Sequence, residues 1–460
     1  MKNNNKFRLD IWGFITLFVI LLYVLFLLYP MGYLIRQSVF DGETGQFTMA
    51  NFAKFFSKSY YFDTLFNSFK ISIAATLLSL VIGTPLAYLF AVYKIRGKSF
   101  LSILIVVASM SAPFIGAYSW ILLLGRSGVI TTFFKNLGIA LPDIYGFGGI
   151  VLVMTLQLFP LVFLYARGAL KNIDNSLIEA AGNLGCSGVK CFLKVVIPLI
   201  MPTLLAAGLL VFMRSFADFG TPMLIGEGYR TFPVVLYNEF INEVGGNDGF
   251  AAAIAVIAIV ITTVVFLVQK YISNRKSFSL NALHPMEERE AKGATRWLVH
   301  LFSYLVIGVA VLPQCYIIYT SFKNTEGKIF VDGYSMQSYA TAFGKLGKSI
   351  QNTIIIPVLA LVVIILLAIL IAYLVVRRRN ALTNVTDILS MIPYIVPGTV
   401  LGIALLIGFN KPPLLISGTM LIMVVALVIR RLPYTIRSSV AILQQIPMSI
   451  EEAAISLGAT

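Results

Sequence analysis

The sequence predicts an all-α polytopic membrane protein made of two tandem, parallel-repeat six-helix units, the second truncated, with about ten transmembrane helices present. Three observations carry this prediction. Of 460 residues, 58% are hydrophobic and 12% charged, with a mean hydropathy of +0.88, which leaves too little polar surface for a soluble globule. Apolar runs long enough, or nearly long enough, to cross a bilayer recur along the whole chain, and in lipid each must form a helix to satisfy its own backbone hydrogen bonds. Polar and proline spacings of the first part return in the second.

The first run, 11–34, follows Lys2, Lys6 and Arg8. It is too long for the apolar core of a signal peptide and lacks a small-x-small cleavage pattern, so it reads as a retained span. Runs at 71–93, 100–124, 148–166, 199–219 and 250–268 complete six spans. Pro198 and Pro202 stand where the fifth span opens, a place at which a missing N–H is harmless. The polar stretch 273–296, rich in Glu, Lys and Arg, reads as a linker. Runs at 298–320, 354–376, 388–409 and 414–429 follow. The last covers only about 24 Å at about 1.5 Å per residue, and is expected to extend through Leu432.

A net charge of +15 suits nucleic acid, but its distribution does not. The basic residues gather between alternate spans: Lys94, Arg96 and Lys98; Arg167, Lys171, Lys190 and Lys194; the 270–296 stretch; Arg377, Arg378 and Arg379; Arg430, Arg431 and Arg437. By the positive-inside rule these segments and the N-terminus are cytoplasmic, and the partner is the lipid bilayer rather than a nucleic acid.

The halves share several spacings. Pro30, Tyr33 and Ser38 match Pro313, Tyr316 and Ser321; Asn67 precedes Tyr88 as Asn352 precedes Tyr373; Pro160 precedes Glu179 as Pro433 precedes Glu452. The implied division is a first domain at 1–272, a cytoplasmic linker at 273–296, and a second domain at 297–460. Relative to the first, the second is expected to lack its last two spans.

One polar element is duplicated. Ser176, Glu179, Ala180 and Ala181, with Gly185 six residues after the Glu, return as Ser449, Glu452, Ala453 and Ala454, with Gly458 six after. Each Ser-x-x-Glu has the pattern of a capping box at a helix start. Each Gly is placed to end that helix in a left-handed conformation. Small alanines on one side permit close approach of another protein.

These residues, with Pro198 nineteen after Glu179, resemble the Glu-Ala-Ala loop of binding-protein-dependent ABC importer permeases of the type I fold. The resemblance implies that Ser176, Glu179, Ala180, Ala181, Gly185 and Pro198, and Ser449, Glu452, Ala453, Ala454 and Gly458, form two ATPase-coupling sites. It implies an ABC ATPase subunit dimer and an extracytoplasmic substrate-binding protein as partners, in the bacterial cytoplasmic membrane. This chain would be a transporter subunit rather than an enzyme, with no catalytic residue, cofactor or metal of its own; ATP and Mg would be bound by the partner. The string Ala342 to Ser349 ends in Gly-Lys-Ser, but Ala342 stands where a phosphate loop needs Gly.

Arg214 and Asp218, four apart in the fifth span, would share a helix face. They read either as a structural pair or, with Gly220, as part of the translocation path. Ala217-Asp218-Phe219-Gly220 resembles the matching stretch of ferric-iron-type permeases, which implies ferric iron as substrate, with thiamine, phosphonate or polyamine as alternatives. An alternative class is an ion-gradient-driven secondary transporter, which would carry carboxylates in its spans; Asp218 is the clear candidate. The outer loop 227–248, with Glu227, Glu239, Glu243 and Asp248, could dock a binding protein or be a solvated loop. Cys186, Cys191, Cys315, His284 and His300 make neither a disulfide framework nor a metal set.

Overall fold

The computed structural model describes residues 11–275 and 284–458, apart from 43, 187, 242–247, 285, 328 and 413. Lys2, Lys6, Arg8, Glu243 and the side chain of Asp248 lie outside what is described. The chain runs α1 (Ile11–Val39), α2 (Ala50–Ser57), α3 (Ser59–Val92), α4 (Lys98–Ser109), α5 (Pro113–Leu124), α6 (Val129–Asn136), α7 (Phe147–Leu170), α8 (Asn175–Asn183), α9 (Gly188–Phe216), α10 (Gly220–Ile225), α11 (Phe232–Ile241), α12 (Asp248–Arg275) and α13 (Gly293–Ser321). A hairpin of β1 (Lys323–Glu326) and β2 (Ile329–Tyr334) follows, then α14 (Gln337–Arg377), α15 (Ala381–Ile395), α16 (Gly398–Gly408), α17 (Met420–Gln445) and α18 (Met448–Ser456).

Among the described residues eight helical segments, with α5 and α6 taken together and α17 not among them, are long and apolar enough to span a membrane, or nine if α15 and α16, bent by 110°, count as one broken span. The ten expected runs differ from this at three places. The run 100–124 is two helices, because the residue before a proline is driven out of helical geometry: Ala112 is extended (φ −64°, ψ 137°) ahead of Pro113. The run 388–409 breaks for the same reason at Val396 (ψ 126°), ahead of Pro397. The run 414–429 begins only at Met420 and continues to Gln445, carrying Arg430, Arg431 and Arg437 within one helix.

Prolines shape two further spans. A π-helical turn, Val24–Leu28, comes just before Pro30, and another, Phe192–Val196, just before Pro198. A proline ring collides with the carbonyl four residues back and removes one hydrogen bond, and a wider turn absorbs both costs. Pro198 therefore does not open a span; α9 runs through it from Gly188 to Phe216.

The described residues form two compact units: Phe56–Asn238 with Val265–Ala340, and Met1–Phe55 with Glu239–Val264 and Thr341–Thr460. In the first, α3 and α7 pack closely. Phe90 and Phe163, both fully buried, meet edge to face at 5.2 Å. Gly83 permits the approach, since a Cβ there would come within 2.8 Å of the Phe159 carbonyl oxygen, the small-residue contact by which spanning helices associate. Tyr88 meets Phe192 of α9 with ring centres 4.6 Å apart and planes tilted by 40°. Along the same unit α13 lies beside α4 and α5, with the Tyr304 hydroxyl donating to the Arg96 carbonyl at 3.0 Å.

In the second unit α1 packs on α15 and α16. Phe26 meets Phe409 at 5.9 Å, and a Cβ on Gly408 would lie 2.9 Å from that of Pro30. Trp12 contacts Tyr373 at 5.0 Å and lies under the Arg378 guanidinium at 5.2 Å. The compact units thus do not follow the halves 1–272 and 297–460. The unit built mainly from the first half takes in α13, the first span of the second half, and the other unit takes in α1, the first span of the first half, because shared spacing records how the halves arose, whereas packing records which surfaces fit.

Candidate functional site: the paired connector helices

Both copies of the Glu-Ala-Ala element form nine-residue helices, α8 and α18. Neither starts as a capping box. The N-cap of α8 is Asp174, whose Oδ1 accepts from the Ser176 amide at 3.0 Å. Asp is a strong cap, and Asp174 has the extended backbone that the position requires (φ −75°, ψ 127°). Ser176 is thereby carried into the first turn. Glu179 Oε1 instead accepts from Asn175 Nδ2 at 2.7 Å, one helical turn back. In α18 the N-cap is Pro447, which sets the entry by its backbone (φ −62°, ψ 142°) without a side-chain cap, so Ser449 and Glu452 make no box either. Glu451 in the first turn accepts from the Arg377 guanidinium, where an anion also suits the helix dipole.

The helix ends follow the spacing. Gly185 and Gly458 take φ +76° and +94°. After α8 the Cys186 amide donates to Ala181 O and that of Gly185 to Gly182 O, each at 2.9 Å, the paired closure that a left-handed glycine permits.

Neither helix buries a residue. Five residues after each Glu stands a leucine that is almost bare: Leu184 is 88% and Leu457 89% exposed. Two residues before each Glu, Leu177 and Ile450 are exposed as well. Glu179, Ala180, Glu452, Ala453 and Ala454 are exposed, and Ala181 half-buried. An exposed apolar pair repeated at matching positions on two short helices is a surface suited to a protein partner.

The residues considered for the translocation path do not assemble as expected. Arg214 is exposed in the last turn of α9, which stops at Phe216. Asp218 lies beyond that end, and its Oδ1 accepts from the Gly220 amide at 3.1 Å, at the start of α10. Among the described residues no ion pair joins Arg214 to Asp218, because a shared face requires the helix to continue through both. Gly220 is buried, and a Cβ there would lie 2.7 Å from that of Pro113; the break is a packed corner. Glu227 receives Arg126 Nη2 at 2.9 Å, while Arg126 Nε donates to Asp143 at 3.2 Å. Asn67 Nδ2 donates to the Arg230 carbonyl at 3.0 Å. The Ala342 to Ser349 string lies inside α14, in no shape to wrap a phosphate.

The sequence assigns no connector role to Asp174, Asn175, Arg377 or the linker's His284, all of which the structure brings to the connector bases. Asp174, two residues before Ser176, carried a readable cap signal, and Asn175 stands one turn before Glu179; Arg377 and His284 act through partners far away in the chain and left no local pattern.

Long apolar helices joined by short exposed connectors mark the chain as a polytopic membrane protein, and its class is that of a transport permease. Residues 79–278, which include α8, match the family described as "Binding-protein-dependent transport system inner membrane component", and the chain belongs to that family. The ferric transport system permease protein FbpB of Actinobacillus pleuropneumoniae is 30% identical over 461 residues, covering 95% of this chain and 64% of that protein. The Fe(3+)-transport system permease protein FbpB 2 of Haemophilus influenzae is 24% identical over 412 residues, 86% of this chain and 73% of that protein. This chain thus spans about two thirds to three quarters of the length of these relatives. The crystal structure of a bacterial ABC transporter involved in the import of the acidic polysaccharide alginate aligns at a TM-score of 0.47 and 16% identity, over 57% of this chain and 95% of that one.

Proposed function

We propose that this chain is the permease of an ABC importer in the bacterial cytoplasmic membrane, with its N-terminus in the cytoplasm. Substrate comes from an extracytoplasmic binding protein, and a separate ATPase subunit dimer, which holds the ATP and Mg, seats on α8 and α18. The observation that carries this reading is the matched exposure of Leu184 and Leu457 at the C-terminal ends of two nine-residue helices. Burying a leucine side chain is worth about 1.5–3 kcal/mol, enough for each to anchor a docking contact. Short connections make the helices stiff transmitters: α8 starts at Asn175 after α7 ends at Leu170, so a push on α8 reaches α7 and α9 with little slack.

Ferric iron is the proposed substrate. It is supported by the ferric transport named for the two relatives and by Ala217-Asp218-Phe219-Gly220. In this reading Glu179 and Glu452 face the ATPase, and closure of its dimer on ATP is transmitted through each connector to the spans. The test is affinity purification from membranes: an ATPase subunit co-purifies with the wild type and is lost from Leu184→Asp combined with Leu457→Asp. Proteoliposomes of the assembled complex with its binding protein take up radiolabelled ferric iron only with ATP. Uptake driven by an ion gradient without ATP would sink the proposal.

A further inference from the structure

The two connector helices are held at their bases in different ways. For α18 the holder is Arg377, at the end of α14, whose side chain is 6% exposed. It donates to Glu451 and, through Nη2, to the Ile446 carbonyl at 2.9 Å. The first half has no such pair. By the Asn67 to Asn352 register the counterpart of Arg377 is Val92, and by the Glu179 to Glu452 register the counterpart of Glu451 is Ile178.

At that same place in the first half the linker comes in. The Arg289 amide donates to the Val92 carbonyl at 2.8 Å, and the Lys94 amide donates to the Arg289 carbonyl at 3.1 Å. The Arg289 guanidinium lies 5.3 Å from the Tyr93 ring centre. Glu288 pairs with Lys98, and Glu290 with Lys94 at 3.9 Å. Farther along, the Asn175 amide donates to the His284 carbonyl at 2.8 Å, and the His284 amide donates to Asp174 Oδ2 at 3.3 Å. The linker thus satisfies one of the first backbone N–H groups of α8, which has no partner within its own helix, and ties the α8 base to the end of α3.

We infer that linker residue His284 and residues 288–290 are a positioning strap for α8, doing for the first connector what the Arg377 side chain does for the second. The linker then does more than join two halves: it replaces an arginine clamp that the first half lacks. Its role in coupling rests on the function proposed above; its grip on α8 does not.

The test is hydrogen exchange on the full chain in lipid nanodiscs, comparing wild type, a variant with 284–290 replaced by Gly and Ser at equal length, and Arg377→Ala. The strap variant is expected to exchange at least about tenfold faster over 175–184 while 448–457 is unchanged, the size expected from losing one or two net hydrogen bonds. Arg377→Ala is expected to do the converse. Unchanged exchange over 175–184 in the strap variant, or loosening of both helices in both variants, overturns the inference. Should the strap variant fail to accumulate, Lys98→Glu and Glu288→Lys take its place: each alone speeds exchange over 175–184 and the double swap restores it, whereas a swap that restores nothing overturns the strap. In the assembled complex the strap variant is expected to move at least about threefold less substrate per ATP, and an unchanged ratio overturns the positioning role. A wild type without ATP-driven transport would instead defeat the proposed function and leave the exchange result standing.

Discussion

Asp174 and Pro447 occupy the same place in the repeat and solve the same problem, starting a short exposed helix, by different means. Asp174 caps with one carboxylate oxygen and accepts from the His284 amide with the other; Pro447 relies on a preset backbone angle. The difference has a measurable consequence. Asp174→Ala is expected to cost α8 about 1 kcal/mol, the usual worth of an N-cap, seen as faster amide exchange over 175–184, whereas Ser176→Ala leaves that exchange as it was. Equal effects from the two substitutions would mean that Ser176 caps after all. The glycine ends of these helices were legible at this scale because a left-handed turn demands a residue type. The caps were not, since Asp174 and Ser176 are both good candidates and only the observed backbone separates them.

Among the helices, prolines and glycines set the geometry. Pro113 and Pro397 each break an apolar run into two helices, and Pro30 and Pro198 each follow a π-helical turn inside a continuous span. Hydrophobic length alone reads all four stretches alike, which is why two runs read as single spans proved to be helix pairs. Close packing of α3 on α7 depends on Gly83, where a Cβ would sit 2.8 Å from a carbonyl oxygen. Gly83→Val is expected to cost about 1–3 kcal/mol by overpacking and to lower the thermal unfolding midpoint in detergent. Gly168, on the same helix α7 with nothing within 4 Å, is the control: Gly168→Ala should leave that midpoint level or raise it. A Gly83→Val protein as stable as the wild type would show that the contact carries little.

Across the whole molecule the halves trade their first spans, since α1 packs with α15 and α16 and α13 packs with α4 and α5. A chain divided at residue 280 makes this testable. Fragments 1–280 and 281–460 are expected to co-purify when made together and to be degraded when made alone, because each leaves helical surface uncovered that the other fills. A stable, folded 1–280 fragment in isolation would contradict that expectation. Repeat spacing could not reveal the exchange: it identifies α1 and α13 as counterparts but says nothing of which surface each one covers.

By itself the sequence determined what depends on short range: where apolar runs must become helices in lipid, where prolines and glycines interrupt or end them, and that one exposed connector occurs twice. Only the tertiary structure decided which residue caps each connector, that Arg214 and Asp218 part company, which half supplies the first span of each unit, and that the linker takes hold of α8. Local features follow from backbone geometry and the cost of burying unpaired polar groups, which a few neighbouring residues settle. The rest follows from complementarity between surfaces distant in the chain, and that exists only once the helices have packed.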